Sequence, residues 1–227
     1  MTKVTRPSEA TEDYAKAIYA LEQRSGGPVT TNALAERLEV TPASASAMVK
    51  RLDELGLVTH ERYRGVILTD KGRAVALEVL RHHRLLELYL TKSLGVPWDR
   101  VHDEAEVLEH VLSEELEELI AAKLGNPTHD PHGDPIPTRE LVVPDEETNS
   151  LASLEKGDRG LFVRVSDSDP EMLRYLAENG ITPGKRFEVV ERMPFDGPLR
   201  ARIGSKVHTL GGRLARAMRV VVDQPAG

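Results

Sequence analysis

The sequence predicts a mainly α protein with a β-barrel carboxy-terminal domain. Two observations predict it. Apolar spacing is helical over the first half and strand-like, with Gly-rich turns, after about residue 158. Charge is partitioned along the chain: the formal total is −7, but residues 1–75 carry +1, residues 76–183 carry −13 and residues 184–227 carry +5. A near-neutral head, an acidic middle and a basic tail point to separate modules. The divisions we read are a winged helix-turn-helix head over 1–75, a helical middle over 76–143, a linker over 144–157 and a small barrel over 158–227.

The head reads as three helices and two short strands. Tyr14, Ile18, Tyr19 and Leu21 recur at helical spacing up to Gly26-Gly27. Thr30 or Thr31 can cap a second helix carrying Leu34, Ala35 and Leu38. Thr41-Pro42 starts a third, with Ala45, Met48, Val49, Leu52 and Leu55 on its apolar side until Gly56. Strands over 57–60 and 65–69 flank a basic tip, Arg62-Tyr63-Arg64. The short turn between the second and third helices is what places a recognition helix in a major groove. That helix opens on small residues, so Thr41, Pro42, Ala43, Ser44 and Ser46 are candidates to approach base edges. Lys50, Arg51, Arg62 and Arg64 are candidate phosphate contacts. The competing reading is a generic three-helix domain with a solvated basic face.

The middle block predicts one helix over 71–93 and a second, continuous one from about Trp98 to Leu124. Two long helices behind a DNA-binding head suit a homodimer on a palindromic duplex operator. His83 and Glu87 are four residues apart, and His102, Glu106, Glu109 and His110 share one face of the next helix. Buried carboxylates need a partner or a metal, and an imidazole–carboxylate set suits a divalent first-row ion. Asp13 on the first helix can complete such a site. A solvated or salt-bridged acidic face is the alternative. His129-Asp130-Pro131-His132-Gly133-Asp134 could also bind metal, but its Pro and Gly spacing favours a structured turn; His60 and His82 read as surface residues and His208 as part of the barrel. The last module predicts strands at 160–165, 186–190, 201–203 and 218–222 and a helix over 170–179.

Composition removes other classes. The 227 residues include no cysteine, which excludes disulfide scaffolds, thiolate metal sites and cysteine nucleophiles. No apolar run reaches the ~20 residues of a membrane span, and the first ten residues lack the apolar core of a secretory signal. We therefore expect a cytoplasmic protein with no membrane partner. A metallohydrolase is disfavoured: there is no HExxH motif, no separate base and no oxyanion device. A winged-helix repressor sensing an organic ligand remains as a rival.

Taken together, Thr11-Glu12-Asp13-Tyr14, the Pro42–Gly56 helix, His83-Arg84-Leu85-Leu86-Glu87, residues 101–110 and Asp130–Pro137 resemble the diphtheria toxin repressor and manganese transport regulator family over nearly the whole chain. The resemblance implies a metal-activated transcriptional repressor, not an enzyme, whose terminal module is SH3-like. It implies one metal site of Asp13, Glu106, Glu109 and His110, and a second of His83, Glu87 and His102. Asp169 falls near the family's acidic ligand from the third domain, with Glu171 adjacent and Met172 where a Gln is expected. Iron-type members have Met and Cys where this chain has Asp13 and Glu106, and Lys16 stands where short manganese members have a further Glu. Hard oxygen ligands favour Mn(II), then Fe(II), with Co(II), Ni(II) or Zn(II) able to substitute in vitro.

Overall fold

A computed structural model describes residues 7–61, 64–195 and 197–223. The chain packs as two compact units: residues up to His83 with Leu108–Glu117 and Pro137–Val142, and Arg84–Val107 with Glu118–Ile136 and the chain from Val143 onward.

In the first unit, α1 (Glu9–Ser25), α2 (Thr31–Arg37) and α3 (Pro42–Glu54) precede a hairpin of β1 (Val58–Glu61) and β2 (Gly65–Leu68). The Thr30 hydroxyl accepts from Ala33 N, and Thr41 accepts from Ser44 N ahead of Pro42. Each such cap is worth about 1 kcal/mol. Ile18, Leu34, Ala45 and Leu52 are fully buried in one aliphatic core. The buried Glu22 carboxylate accepts from Leu68 N at 2.7 Å and from Arg73 at 3.1 Å, fixing α1 to the wing. This is the expected winged arrangement.

Helix α4 (Asp70–Tyr89) runs on through a π turn, Leu90–Leu94, which ends on Gly95 in the left-handed region. The expected helix over 98–124 is instead two: α5 (Val101–Leu108) and α6 (Glu114–Lys123). Ser113 explains the restart. Its hydroxyl accepts from Leu116 N, and Glu114, Glu115 and Glu117 load the first turn of α6 with negative charge.

The second unit carries a six-stranded antiparallel sheet in the order β3-β8-β4-β5-β6-β7, with β3 at Asn149–Ser150, β4 at Arg159–Val165, β5 at Arg186–Arg192, β6 at Leu199–Ile203, β7 at Lys206–Leu210 and β8 at Met218–Val222. The expected barrel is not closed: among the described residues β3 and β7 are edges and do not pair. Helices α7 (Pro170–Glu178) and α8 (Gly212–Ala217) supply Leu173, Leu176 and Ala215 to the core, so the sheet is covered without curling onto itself. Bulges at 162/164 and 189/191 bend β4 and β5. Residues 149–154 of the expected linker belong to this sheet: β3 pairs with β8, and Leu151 and Leu154 are buried in its core. Among the described residues no helix is long and apolar enough to cross a membrane.

Candidate metal centre

The first centre lies in the first unit. Asp13 comes from α1; Glu109 and His110 come from the turn that follows α5. Donor atoms of these three lie within 4.8 Å of one another. His110 Nε2 is 3.0 Å from Asp13 Oδ1 and 3.5 Å from Glu109 Oε1. His110 Nδ1 is 2.7 Å from Glu12 Oε2, so Glu12 orients the ring with Nε2 towards Asp13 and Glu109. Glu109 is fully buried, Asp13 38% exposed. Glu109 Oε2 pairs with His83 Nδ1 at 2.5 Å, and Oε1 with the Lys16 ammonium. The helix break places these groups: an uninterrupted helix would carry 109–113 on along the α5 axis.

His82, expected at the surface, is 1% exposed. Its ring bridges the Glu109 carbonyl oxygen at 3.1 Å and Glu117 Oε2 at 3.0 Å, so it anchors the turn that carries the ligands. Glu117 also receives Arg81 at 2.5 Å. Burial pushes the Glu117 carboxyl up, but the His82 and Arg81 hydrogen bonds outweigh it and hold the group below its ordinary value.

A second cluster lies within the second unit. His102 Nδ1 is 3.4 Å from both Glu87 Oε1 and Asp167 Oδ2, and His102 Nε2 is 3.6 Å from Glu106 Oε1. Behind it, Glu87, Asp130 and His132 are all buried with donor atoms within 4.8 Å. His132 Nε2 donates to the Trp98 carbonyl at 2.8 Å. Its buried Nδ1 makes no hydrogen bond and stands 3.8 Å from Glu87 Oε2, a gap suited to a shared cation. The electrostatics agree. Hydrogen bonds to Asp167 and Glu87 push His102 up to about 10. Burial lowers His132, yet Glu87 and Asp130 carry it up to about 9. Burial, with the negative charges of Asp134 and Glu87, pushes Asp130 up to about 8. Acids this crowded draw protons in place of another cation, so the donor set fits a divalent ion.

The sheet-domain carboxylate that stands beside His102 and Glu87 is Asp167; Asp169 and Glu171, the expected candidates, are engaged elsewhere or exposed. Asp169 caps α7 by accepting from Met172 N and pairs with Arg213 at 2.5 Å, while Glu171 is exposed and Met172 packs on the sheet core. Asp167 stands in the bend before that cap, where no periodicity marks it. The 129–134 segment is the expected turn: the Asp130 carboxylate accepts from His132 N and Asp134 N. It also delivers Asp130 and His132 to the cluster, so the turn and the alternative metal-binding reading of this segment are compatible. Gly133 is required here: its φ is +89°, and a Cβ would lie 1.9 Å from the Val163 carbonyl oxygen. His83 Nδ1 stands on Glu109 Oε2.

The reading face of α3 is exposed at Thr41, Pro42, Ala43, Ser44, Ser46, Lys50 and Arg51. Thr41 is engaged as the helix cap, and the Ser46 hydroxyl donates to the Pro42 carbonyl at 2.8 Å. Lys50 is 3.8 Å from Glu54, an exposed pair of little energy. Arg64 is exposed at the wing; Arg62 lies outside the described residues.

Comparison with known proteins assigns this architecture. Residues 7–66 match the iron dependent repressor N-terminal DNA binding domain, residues 69–138 the iron dependent repressor metal binding and dimerisation domain, and residues 149–222 the FeoA domain. The chain is 35% identical over 224 residues to the iron-dependent repressor IdeR of Mycobacterium tuberculosis, covering 93% of this chain and 96% of that one. It is 39% identical over 192 residues to the diphtheria toxin repressor of Corynebacterium glutamicum, covering 80% and 84%. Among solved structures, a manganese-dependent transcriptional repressor in complex with manganese shares 45% identity with a TM-score of 0.86, covering 93% of this chain and 99% of that one. The chain belongs to the diphtheria toxin repressor and manganese transport regulator family of metal-dependent transcriptional repressors.

Proposed function

We propose that the protein represses metal-homeostasis genes by binding a palindromic duplex operator as a homodimer when a divalent metal is present. Mn(II) is the first choice of activator and Fe(II) the second; Co(II), Ni(II) or Zn(II) substitute in vitro. The observation that carries the reading is the convergence of Asp13, from the helix ahead of the DNA-reading motif, with Glu109 and His110. A divalent ion bound there would supply the positive charge these donors lack. Asp13 would hold it from α1, Glu109 and His110 would hold it from the post-α5 turn, and Glu12 would keep the His110 ring oriented towards it. The family resemblance adds Glu106 as a further ligand. Glu87, His102 and Asp167 form the second site, with His132 and Asp130 behind them; the resemblance adds His83. Hard oxygen donors without thiolate support Mn(II) over softer ions.

The reading face of α3, with Thr41 to Ser46 at its start and Lys50, Arg51, Arg62 and Arg64 for phosphates, is the operator-contacting surface. We assign the three modules to 1–75, 76–143 and a last one that starts near residue 149 rather than 158, since β3, Leu151 and Leu154 belong to it; that module is SH3-like as its FeoA match suggests, and we assign the protein to the cytoplasm. The test is fluorescence anisotropy of a palindromic operator fragment titrated with protein in the presence of Mn(II), Fe(II) or Zn(II), with metal stoichiometry recorded alongside. Saturable binding that appears with metal and disappears with a chelator is expected. Equal affinity with and without metal overturns the reading.

A further inference from the structure

We propose that Lys16 is a tethered internal cation that holds Glu109 in the metal-free protein and competes with metal for it, so setting the metal concentration at which the first centre loads. The inference rests on the reading of Asp13, Glu109 and His110 as that centre. Glu109 is fully buried, and a buried carboxylate is costly without a counter-charge. Both of its oxygens are engaged: Oε2 by His83 at 2.5 Å, Oε1 by the Lys16 ammonium. Oε1 is also the oxygen facing His110 Nε2 at 3.5 Å. An ion held jointly by His110 and Glu109 therefore needs the lone pairs that Lys16 uses.

Lys16 follows Asp13 by three residues on α1, so both lie on one face of that helix. Its side chain is 16% exposed and on a flexible four-carbon stem, so it has a short path to water when displaced. The positive charge remains nearby after displacement and opposes the incoming dication. Lys16 thus lowers the affinity of the loaded site while stabilising the metal-free fold. Loading becomes an exchange of one cation for another.

The test is calorimetric Mn(II) titration of the full chain at constant pH and salt, comparing wild type, Lys16→Gln and Lys16→Arg, with Tm recorded metal-free and saturated. The binding step abolished by Asp13→Ala identifies the first centre. Absence of such a step in the wild type overturns the functional reading itself, separately from this one. Lys16→Gln should tighten that step about tenfold, ~1.4 kcal/mol. It should also lower the metal-free Tm, enlarging the rise on saturation, while Lys16→Arg stays within about threefold of wild type. A Lys16→Gln protein that folds only with Mn(II) supports the proposal. Unchanged or weaker binding in Lys16→Gln overturns it, as does failure of that variant to fold with saturating Mn(II).

Discussion

The two clusters are built from the same residue types, yet they handle charge differently. In the first, each group has a local answer: Lys16 and His83 on Glu109, Glu12 on His110, and Asp13 more than one-third exposed. In the second, Glu87, Asp130 and His132 are all buried, and the histidines are driven up to about 10 and about 9 by acids. A site balanced by its own side chains exists in two states of similar cost and is suited to sensing. In the second, Arg84 stands 3.7 Å from Asp130, yet Asp130 is still pushed up to about 8, so this cluster binds protons or a cation more readily.

Substitutions can break this contrast. The largest effect is expected for Glu109→Ala. It removes the buried carboxylate and leaves Lys16 and His83 without it, so Mn(II) affinity of the first step should fall more than about 100-fold by calorimetry. Glu12→Gln comes next. It keeps shape but weakens the hold on His110 Nδ1, and a loss of about 10- to 100-fold in metal affinity is expected, within the range for residues that orient metal-binding histidines. The same titration checks it, and retention of wild-type affinity would leave Glu12 a purely structural residue.

The Asp167/Asp169 pair sharpens the second cluster. Asp167→Asn should weaken metal retention there without altering metal-free stability by more than about 1 kcal/mol. Asp169→Asn should leave metal retention unchanged and cost no more than about 1 kcal/mol through the α7 cap and the Arg213 pair. Denaturant unfolding with and without Mn(II) separates them. Acidity acts with a definite sign. Metal must displace the protons held by His102, His132 and Asp130, all raised above their ordinary values, so metal binding at this cluster releases protons and its Kd falls as pH rises from 6.5 to 8.5. A Kd independent of pH, measured by titration in buffers of different ionisation heat, would mean that these groups are not ligands.

Much of this is legible in the sequence. Thr41-Pro42 announced α3 because capping chemistry is local, and Asp13, Glu109 and His110 were legible because helical spacing and family resemblance both marked them. The losses have physical causes. His82 was read as exposed because its partners, the Glu109 carbonyl and Glu117, are about 30 residues away. The helix break was missed although Ser113 before three acidic residues was a usable capping signal. Asp167 lies in a bend without periodicity, and its two-residue offset from Asp169 is invisible without the α7 cap. The open sheet could not be told from a barrel because strand spacing does not reveal whether the edges meet. Glu12 and Lys16 acquire their roles only once α1 packs beside the turn at 109–110.

The most direct measurement is operator anisotropy for Asp13→Ala titrated in saturating Mn(II), with light scattering on the same samples. If metal acts by joining α1 to Glu109 and His110, the variant remains a dimer, retains metal at the second cluster and loses metal-dependent operator binding. Wild-type metal dependence in that variant would contradict the account.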